Sequence, residues 1–301
     1  MKILLAITVL LLAGCGAERE TSNTQVVAAD TGVPVIYTVN YPLTWMTQQL
    51  AGNAASVVFP APAGVDPAFW QPDVDTALQY QRADLVLLNG ANYAKWTASI
   101  SLPSSRLLDT SASYRDQLIP VTAGPLHSHG PGGEHSHGEL AFTTWLDLEL
   151  AQQQMQAVAA ALQRLLPAES AAIEQRRAGL QQVLVDMDAR LTALGRLLGN
   201  TPVLYSHPVY QYLQRRYQFN GHALHWEPDQ VPDEAQWGEL ANILQTHPAQ
   251  IMLWEAQPLP EVQARLDELG VKTVVFSPMG NRPPSGDFAS GMAANIDRLE
   301  Q

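Results

Sequence analysis

LQQVLVDMDARLTALGRLL, residues 180–198, is the stretch around which the rest of the chain can be organised. Its leucines and methionine recur at spacings of three and four residues, which places them on one face of an α-helix. The helical pattern extends back to about residue 168, just after Pro167, and ends at Gly199-Asn200. Some thirty helical residues span roughly 45 Å. A single apolar stripe of this kind is usually buried, so we interpret it as a helix that joins two lobes.

Predicted strands and helices alternate on both sides of this helix. The apolar runs that predict strands are residues 35–39, 56–59, 84–88 and 106–108, then 202–205, 223–226, 251–254 and 273–276. Such alternation predicts parallel sheets covered by helices on both faces. We therefore expect an α/β protein with two lobes, residues 33–143 and 199–301, each with a mainly parallel sheet flanked by helices. Connecting helices at 144–198 are predicted to include the long backbone helix.

The first residues resemble a bacterial lipoprotein signal. Lys2 is followed by an apolar run at residues 3–12 and then by Leu12-Ala13-Gly14-Cys15. A run this short cannot cross a hydrocarbon core of roughly 30 Å, so we predict a signal peptide at residues 1–14. Cys15, the single cysteine, is the predicted lipidation site, and residues 15–32 form a predicted flexible tether. These features predict a membrane-anchored lipoprotein in the periplasm or at the cell surface.

The composition limits the partners of the chain. Its 17 Lys and Arg residues face 29 Asp and Glu residues, which gives a formal net charge of −12. Without a basic cluster, nucleic acid is disfavoured as a partner, whereas cations are attracted. Hydrophobic residues make up 46% of the chain, enough to form a full core. We expect a monomer.

A histidine-rich tract, HSHGPGGEHSHG at residues 127–138, contains half of the eight histidines. They are His127, His129, His135 and His137. Neutral imidazole is a common ligand of Zn²⁺, Cu²⁺ and Ni²⁺. Glycine and proline between the two pairs prevent a helix and allow the ring nitrogens to converge on one ion. The tract predicts a metal-binding loop, with a solvated polar loop as the alternative.

The ordered set of motifs resembles the zinc- and manganese-type solute-binding proteins of bacterial ABC transporters. The matching segments are Asn40-Tyr41-Pro42-Leu43, Gly64-Val65-Asp66-Pro67, Ala83-Asp84-Leu85-Val86, Trp145-Leu146-Asp147, Ser206-His207, Glu227-Pro228, Glu255-Ala256-Gln257 and Pro278-Met279-Gly280. The resemblance implies two α/β lobes joined by one long helix. It also implies an extracytoplasmic lipoprotein that captures zinc, or Mn²⁺ or another divalent metal, for an inner-membrane ABC permease.

The metal ligands that the resemblance implies are mostly absent. The two family histidines of the first lobe would fall at Ala68 and Thr143, and the family aspartate would fall at Ser277. His207 remains, but one imidazole cannot hold Zn²⁺ tightly. His207 and Glu255 each follow a predicted strand at its C-terminal end, where open α/β sheets bind ligands. We expect this pair to start a metal site that water or the loop histidines complete.

Two other functions stay open: the same fold with a changed cargo, either a metal chelate or a small organic solute, and a metal-buffering accessory lipoprotein. Small residues at three ligand positions enlarge the cleft, and aromatic residues occur in segments expected to line it. These are Tyr41, Trp45, Phe69, Trp70, Trp96 and Tyr205.

An enzyme is not expected. The chain has no His-Glu-x-x-His, Gly-x-Ser-x-Gly or Walker motif, which disfavours a hydrolase. His222, His225 and His247 have no convincing partners in the sequence, and we interpret them as structural. The sequence therefore predicts a binding protein.

Overall fold

The computed structural model describes residues 32–121, 127–128, 134–135 and 140–301. The predicted signal peptide, Cys15 and the predicted tether up to residue 31 lie outside the described residues. Residues 32–301 form one compact unit. Within the described part, every helix is too short or too polar to cross a membrane.

The first sheet has four parallel strands in the order β2-β1-β3-β4. Its elements are β1 (Val35–Thr38), α1 (Tyr41–Ala51), β2 (Ser56–Val58), α2 (Val74–Arg82), β3 (Leu85–Leu88) and β4 (Leu107–Asp109). The side chains of Asn40 and Asp73 begin the two helices by accepting hydrogen bonds from Leu43 N (3.1 Å) and Thr76 N (2.8 Å). These caps satisfy amide groups that would otherwise lack partners at the start of each helix.

The histidine-rich tract contains a short antiparallel ribbon of β5 (His127–Ser128) and β6 (Glu134–His135). His127 is the register partner of His135, and Ser128 is the partner of Glu134. His129 and His137 lie outside the described residues. The glycine-rich sequence predicted a loop here, without this strand pairing.

Two helices connect the sheets, α3 (Leu148–Leu165) and α4 (Ser170–Leu198). A 3-10 turn that begins at Pro167 separates them, and Gly199 ends α4 with a φ of 53°. The apolar stripe of α4 is buried at Ile173, Leu180, Leu184, Met187, Leu191 and Leu194. Asp147 caps the start of α3 by accepting hydrogen bonds from Glu149 N and Leu150 N. The long connecting helix is confirmed.

The second sheet is also parallel, with the strand order β10-β9-β7-β8. Its elements are β7 (Pro202–Tyr205), α5 (Gln211–Tyr217), β8 (Asn220–Ala223), α6 (Glu234–Thr246), β9 (Ile251–Trp254), α7 (Pro260–Glu268), β10 (Lys272–Val275) and α8 (Phe288–Leu299). The predicted strand at 223–226 is therefore wrong by three residues, since β8 is a largely exposed edge strand without apolar residues other than Ala223. Helix α8 was not predicted.

Helix α4 is bonded to both lobes. Arg176 donates to the carbonyl oxygens of Leu50 and Ala51 at the end of α1 (3.1 and 3.2 Å). On the other side, Arg216 of α5 donates two hydrogen bonds to Asp188 (3.2 and 2.9 Å). Paired guanidinium–carboxylate bonds fix orientation as well as distance. The α/β fold with two parallel sheets and a long helix agrees with the sequence prediction.

Candidate metal centre

A cleft of about 1060 Å³ lies between the loops that follow the strands of the two sheets. Asp66, Tyr93 and Trp145 line it from the N-terminal lobe, and Glu227 and Glu255 line it from the C-terminal lobe. Open parallel sheets bind ligands at this C-terminal edge, because successive loops there diverge and leave a crevice. The cleft is therefore where a binding site is expected.

His207 lies behind the C-terminal wall of this cleft, in contact with the lining residues Glu227 and Glu255. It follows β7 and is 1% exposed. Its Nδ1 lies 3.1 Å from Oε1 of Glu255, and its Nε2 lies 3.6 Å from Oε1 of Glu227. Glu255 directly follows β9, whereas Glu227 is brought close because Trp226 N donates to Ser206 O (2.7 Å). The ring thus has one carboxylate near each nitrogen.

This arrangement favours a cation. Imidazole nitrogen and carboxylate oxygen are both common ligands of zinc, and the two glutamates bring carboxylate oxygens close to a ring that is almost fully buried. In a tetrahedral zinc site with bonds of 2.0–2.2 Å, neighbouring donor atoms are about 3.3 Å apart. The 3.1 Å separation of His207 and Glu255 is close to that value.

The two carboxylates cannot both join His207 on a single ion, because they contact different ring nitrogens. In keeping with this, the described part of the chain contains no group of three or more His, Cys, Asp or Glu side chains arranged to hold a metal. His207 with one glutamate is a two-donor start of a site. The other glutamate can accept the remaining ring N–H, which fixes the tautomer and the ring orientation.

The two implied ligand positions of the N-terminal lobe are used for internal bonds. Ala68 is 2% exposed, and its N–H donates to Oδ1 of Asp66 (2.9 Å). Thr143 is 3% exposed, and its Oγ1 donates to the carbonyl oxygen of Val209 (2.5 Å). Thr143 therefore joins the two lobes instead of offering a strong metal donor.

Ser277, at the implied aspartate position, is also part of a hydrogen-bonded turn. Its Oγ accepts from Met279 N (3.3 Å). Asn295 of α8 holds the backbone of Ser277 on both sides, by accepting from its N–H (3.1 Å) and donating to its carbonyl oxygen (2.7 Å). The two bonds of Asn295 therefore fix the main chain of Ser277, while the serine side chain carries no charge.

The loop after β10 crosses the cleft and bonds to the N-terminal lobe. Trp145 Nε1 donates to Pro278 O (2.7 Å), and Tyr41 N donates to Gly280 O (2.9 Å). Asn281 Nδ2 donates to Val65 O (2.7 Å). These bonds, together with α4, restrict relative movement of the lobes.

The aromatic residues of the cleft differ from those expected. In the described chain the aromatic side chains on its wall are Tyr93, Phe142 and Trp145. The six expected aromatic residues are instead buried in the core or packed against it. Burial, together with the negative charge of Asp66, raises the pKa of Tyr93 well above its ordinary value. Tyr93 is therefore neutral at physiological pH and can act as a hydrogen-bond donor.

The structure brings together His207 and Glu255, the two residues that the sequence predicted to meet. It adds Glu227, which sequence reasoning quoted only as part of a matching Glu-Pro segment. It also places His225 beside His207, with ring centroids 6.0 Å apart, and His222 beside His247, at 5.8 Å. His127 and His135 lie in the ribbon, and only their backbone is described. Spacing along the chain does not reveal these contacts.

The sequence model of one protein family, described as "Zinc-uptake complex component A periplasmic", matches residues 36–301. The chain belongs to this ZnuA family. The resemblance stated from the motifs is thereby confirmed. The description makes the family a periplasmic component of a zinc-uptake complex.

Curated relatives of this ZnuA-family chain include two proteins with zinc in their names. The zinc-binding lipoprotein AdcA of Streptococcus pneumoniae R6 is 22% identical over 308 residues, which cover 99% of this chain and 60% of AdcA. The chain thus spans about 60% of the length of AdcA. The high-affinity zinc uptake system protein ZnuA of Bacillus subtilis is 24% identical, with 97% of this chain and 93% of that protein covered.

Solved structures share the fold of the ZnuA-family chain. The metal-dependent lipoprotein YcdH from Bacillus subtilis has a TM-score of 0.75 at 20% identity, covering 89% of this chain and 98% of YcdH. The Zn(II)-bound ZnuA-like domain of Streptococcus pneumoniae AdcA also has a TM-score of 0.75, at 21% identity, covering 90% and 98%. FpvC from Pseudomonas aeruginosa with Ni²⁺ has a TM-score of 0.69 at 22% identity, covering 89% and 95%. These likenesses establish the architecture.

Proposed function

We propose that this protein captures a divalent metal ion, first of all zinc, outside the cytoplasm and passes it to an ABC-type permease of the inner membrane. The observation that carries the proposal is the buried imidazole of His207, which has near each ring nitrogen a glutamate that lines the cleft between the lobes. Family membership and the names of the zinc-binding relatives support the same function. In this role the protein binds and releases an ion without chemical conversion.

The proposed ligands in the cleft are His207 and Glu255, with water completing the coordination. Glu227 is the second carboxylate and orients the ring through the opposite nitrogen. The two histidine pairs of the tract, His127, His129, His135 and His137, are proposed to collect metal ions outside the cleft. A lipid on Cys15 would hold the monomeric protein at the membrane.

Zinc titration of the mature protein tests this proposal. We expect the His207→Ala variant to lose the tightest zinc site, and replacement of the four tract histidines by alanine to remove further, weaker equivalents. Because protonated imidazole cannot bind metal, zinc binding by the tract should weaken as the pH falls through about 6.5. Glu261→Gln on α7, an exposed carboxylate outside the cleft lining, is the matched control and should not change the titration. Unchanged tight zinc in His207→Ala would contradict the proposed site.

A changed cargo is the second candidate, and the cleft itself is the observation that favours it. Its 1060 Å³ far exceeds the space that one ion occupies, and Tyr93, Phe142 and Trp145 give it an aromatic wall. Apolar walls with few polar groups are typical of sites for organic ligands. A zinc chelate such as zinc–citrate or zinc–histidine would then raise the melting temperature where zinc alone does not.

A metal-buffering lipoprotein would bind zinc at the same site, but its deletion would leave permease-dependent uptake intact.

A further inference from the structure

His222 and His247 form a second histidine pair, and neither residue lines the cleft. His222 lies on β8, the edge strand of the second sheet, and is exposed. His247 directly follows α6 and is half-buried. Their ring centroids are 5.8 Å apart and the ring planes are inclined by 48°. The two residues are separated by 25 positions in the sequence, and the fold brings them together.

The tautomer of the neutral His247 ring follows from its backbone partner. Its Nε2 lies 3.1 Å from the carbonyl oxygen of Val203. A carbonyl oxygen only accepts hydrogen bonds, so Nε2 must carry the hydrogen. In the neutral ring this leaves the lone pair on Nδ1. Metal-binding histidines usually donate their other N–H to a carbonyl or carboxylate in this way, which fixes the ring and increases its basicity.

The separation of the rings suits a shared ion. Two imidazoles on a tetrahedral zinc with bonds of 2.0–2.1 Å have ring centres about 5.2 Å apart. The observed 5.8 Å requires only a small closing movement. His222 can supply that movement, since exposed side chains change rotamer at little cost. The pair therefore needs no rearrangement of the sheet to bind metal.

We propose that His222 and His247 form a second metal site on the edge of the C-terminal sheet, for a borderline divalent ion such as Zn²⁺, Ni²⁺ or Cu²⁺. Imidazole nitrogens suit these ions, and water completes the coordination. With only two protein donors, the site binds more weakly than a site with three or four donors and exchanges its ion readily. It uses none of the cleft residues, so it stands independently of the function proposed above.

The experiment removes the other histidine sites first. In a full-chain background with His207 and the four tract histidines replaced by alanine, we expect one equivalent of Zn²⁺ to bind. The imidazole NMR signals of His222 and His247 should shift together during the titration. His222→Ala, a change on an exposed strand, and His247→Ala should each weaken this binding at least tenfold. His225→Ala is the matched control, because it removes an exposed histidine of the same segment and should leave the affinity unchanged.

Three results would overturn the proposal. They are a background protein that binds no zinc, unchanged affinity in His222→Ala, and an equal loss in the His225→Ala control. Failure of the cleft site is measured separately. In a protein altered only by His222→Ala, the zinc that remains bound is the zinc of the other sites, so this variant reports on the cleft and the His207→Ala background reports on the histidine pair.

Discussion

Replacing Glu255 with glutamine tests how the buried histidine takes its metal. Oε1 of Glu255 lies 3.1 Å from Nδ1 of His207, and the glutamate side chain is 24% exposed. Glutamine keeps the size and one carbonyl oxygen but removes the negative charge. If zinc lies between these two atoms, the substitution removes an anionic ligand. If Glu255 only orients the ring, the substitution replaces a charged hydrogen-bond acceptor with a neutral one.

The size of the loss separates the two roles. Loss of an outer hydrogen-bond partner of a metal ligand costs about 10–100-fold in affinity, which corresponds to about 1.4–2.7 kcal/mol. Loss of an anionic ligand costs more than that. The 3.1 Å contact of Glu255 is close to the tetrahedral edge of about 3.3 Å, whereas the Glu227 contact at the other nitrogen is 3.6 Å. We therefore expect a loss above 100-fold for Glu255→Gln and of about 10–100-fold for Glu227→Gln.

Competition titration against a chelator of known zinc affinity measures both variants, in a protein whose four tract histidines are alanine. The control is Glu261→Gln, whose affinity should equal that of the parent. A change of less than about twofold in Glu255→Gln, alongside a large loss in His207→Ala, would refute the assignment of Glu255 as a ligand. A greater loss in Glu227→Gln than in Glu255→Gln would show that the metal binds at Nε2.

Substitutions at three further positions and one scattering measurement test the fold and the cleft. Ser277→Asp adds a charged donor on a well-positioned backbone and should raise zinc affinity at least tenfold in the same titration; no increase would contradict the placement of the cleft site. Leu191→Ala empties a fully buried position of α4 and should lower the free energy of unfolding in urea by about 2–5 kcal/mol, and a loss under 1 kcal/mol would contradict its core role. Burial raises the pKa of Asp147 in the folded state above its value in the unfolded state. Between these two pKa values the folded state binds more protons than the unfolded state, so the free energy of unfolding falls as the pH rises through that range. Asp147→Asn keeps the helix cap, so its free energy of unfolding in urea at pH 7 should be unchanged or slightly higher, whereas Asp147→Ala should lower it by about 1 kcal/mol. A large decrease in Asp147→Asn would show that the ion pairs of Asp147 dominate. Small-angle X-ray scattering should show little change in radius of gyration on adding zinc, because α4 and the bonds across the cleft hold both lobes.

Most of the fold could be predicted from local sequence patterns. The apolar runs that became β1, β3, β7 and β9 are short, buried and flanked by polar residues, so their type and position follow from neighbouring residues alone. The stripe of α4 is equally local, because three- and four-residue spacing identifies a buried helix face without knowledge of its partners. Pro167 and Gly199 then mark both ends of that helix.

Of the two elements that were not predicted, strand β8 depends on a contact with another part of the chain, whereas helix α8 does not. Strand β8 has the sequence Asn-Gly-His-Ala, and it forms because the backbone groups of β7 are available to pair with it. Apolar Leu224 and Trp226, which suggested a strand, instead bury their side chains after β8 ends. Helix α8 begins at a capping box of Asp287 and Ser290, a recognisable local signal that was overlooked.

The site was only partly predictable. That His207 and Glu255 would meet followed from the rule that strand ends share one edge of a sheet. Glu227 lies four residues beyond the end of β8, and the segment before it is held against β7 and the residue after it by hydrogen bonds from Leu224 N to Tyr205 O and from Trp226 N to Ser206 O. The pairing of His222 with His247 depends on the hydrogen bond that holds His247 at Val203 of β7, next to β8, and no spacing in the sequence predicts that contact.

The distribution of donors suggests how this cleft differs from the pattern implied by the family resemblance. That pattern takes two ligands from each lobe, so the ion itself helps to hold the lobes together. Here the corresponding positions of the N-terminal lobe are Ala68 and Thr143, and Thr143 joins the lobes by its own hydrogen bond to Val209. The proposed ligands, His207 and Glu255, both belong to the C-terminal lobe, as does Glu227, which orients the ring. Metal binding at such a site requires no closure of the lobes. The bonds across the cleft can therefore persist with or without the ion, and release of the metal depends on the exchange of ligands within one lobe.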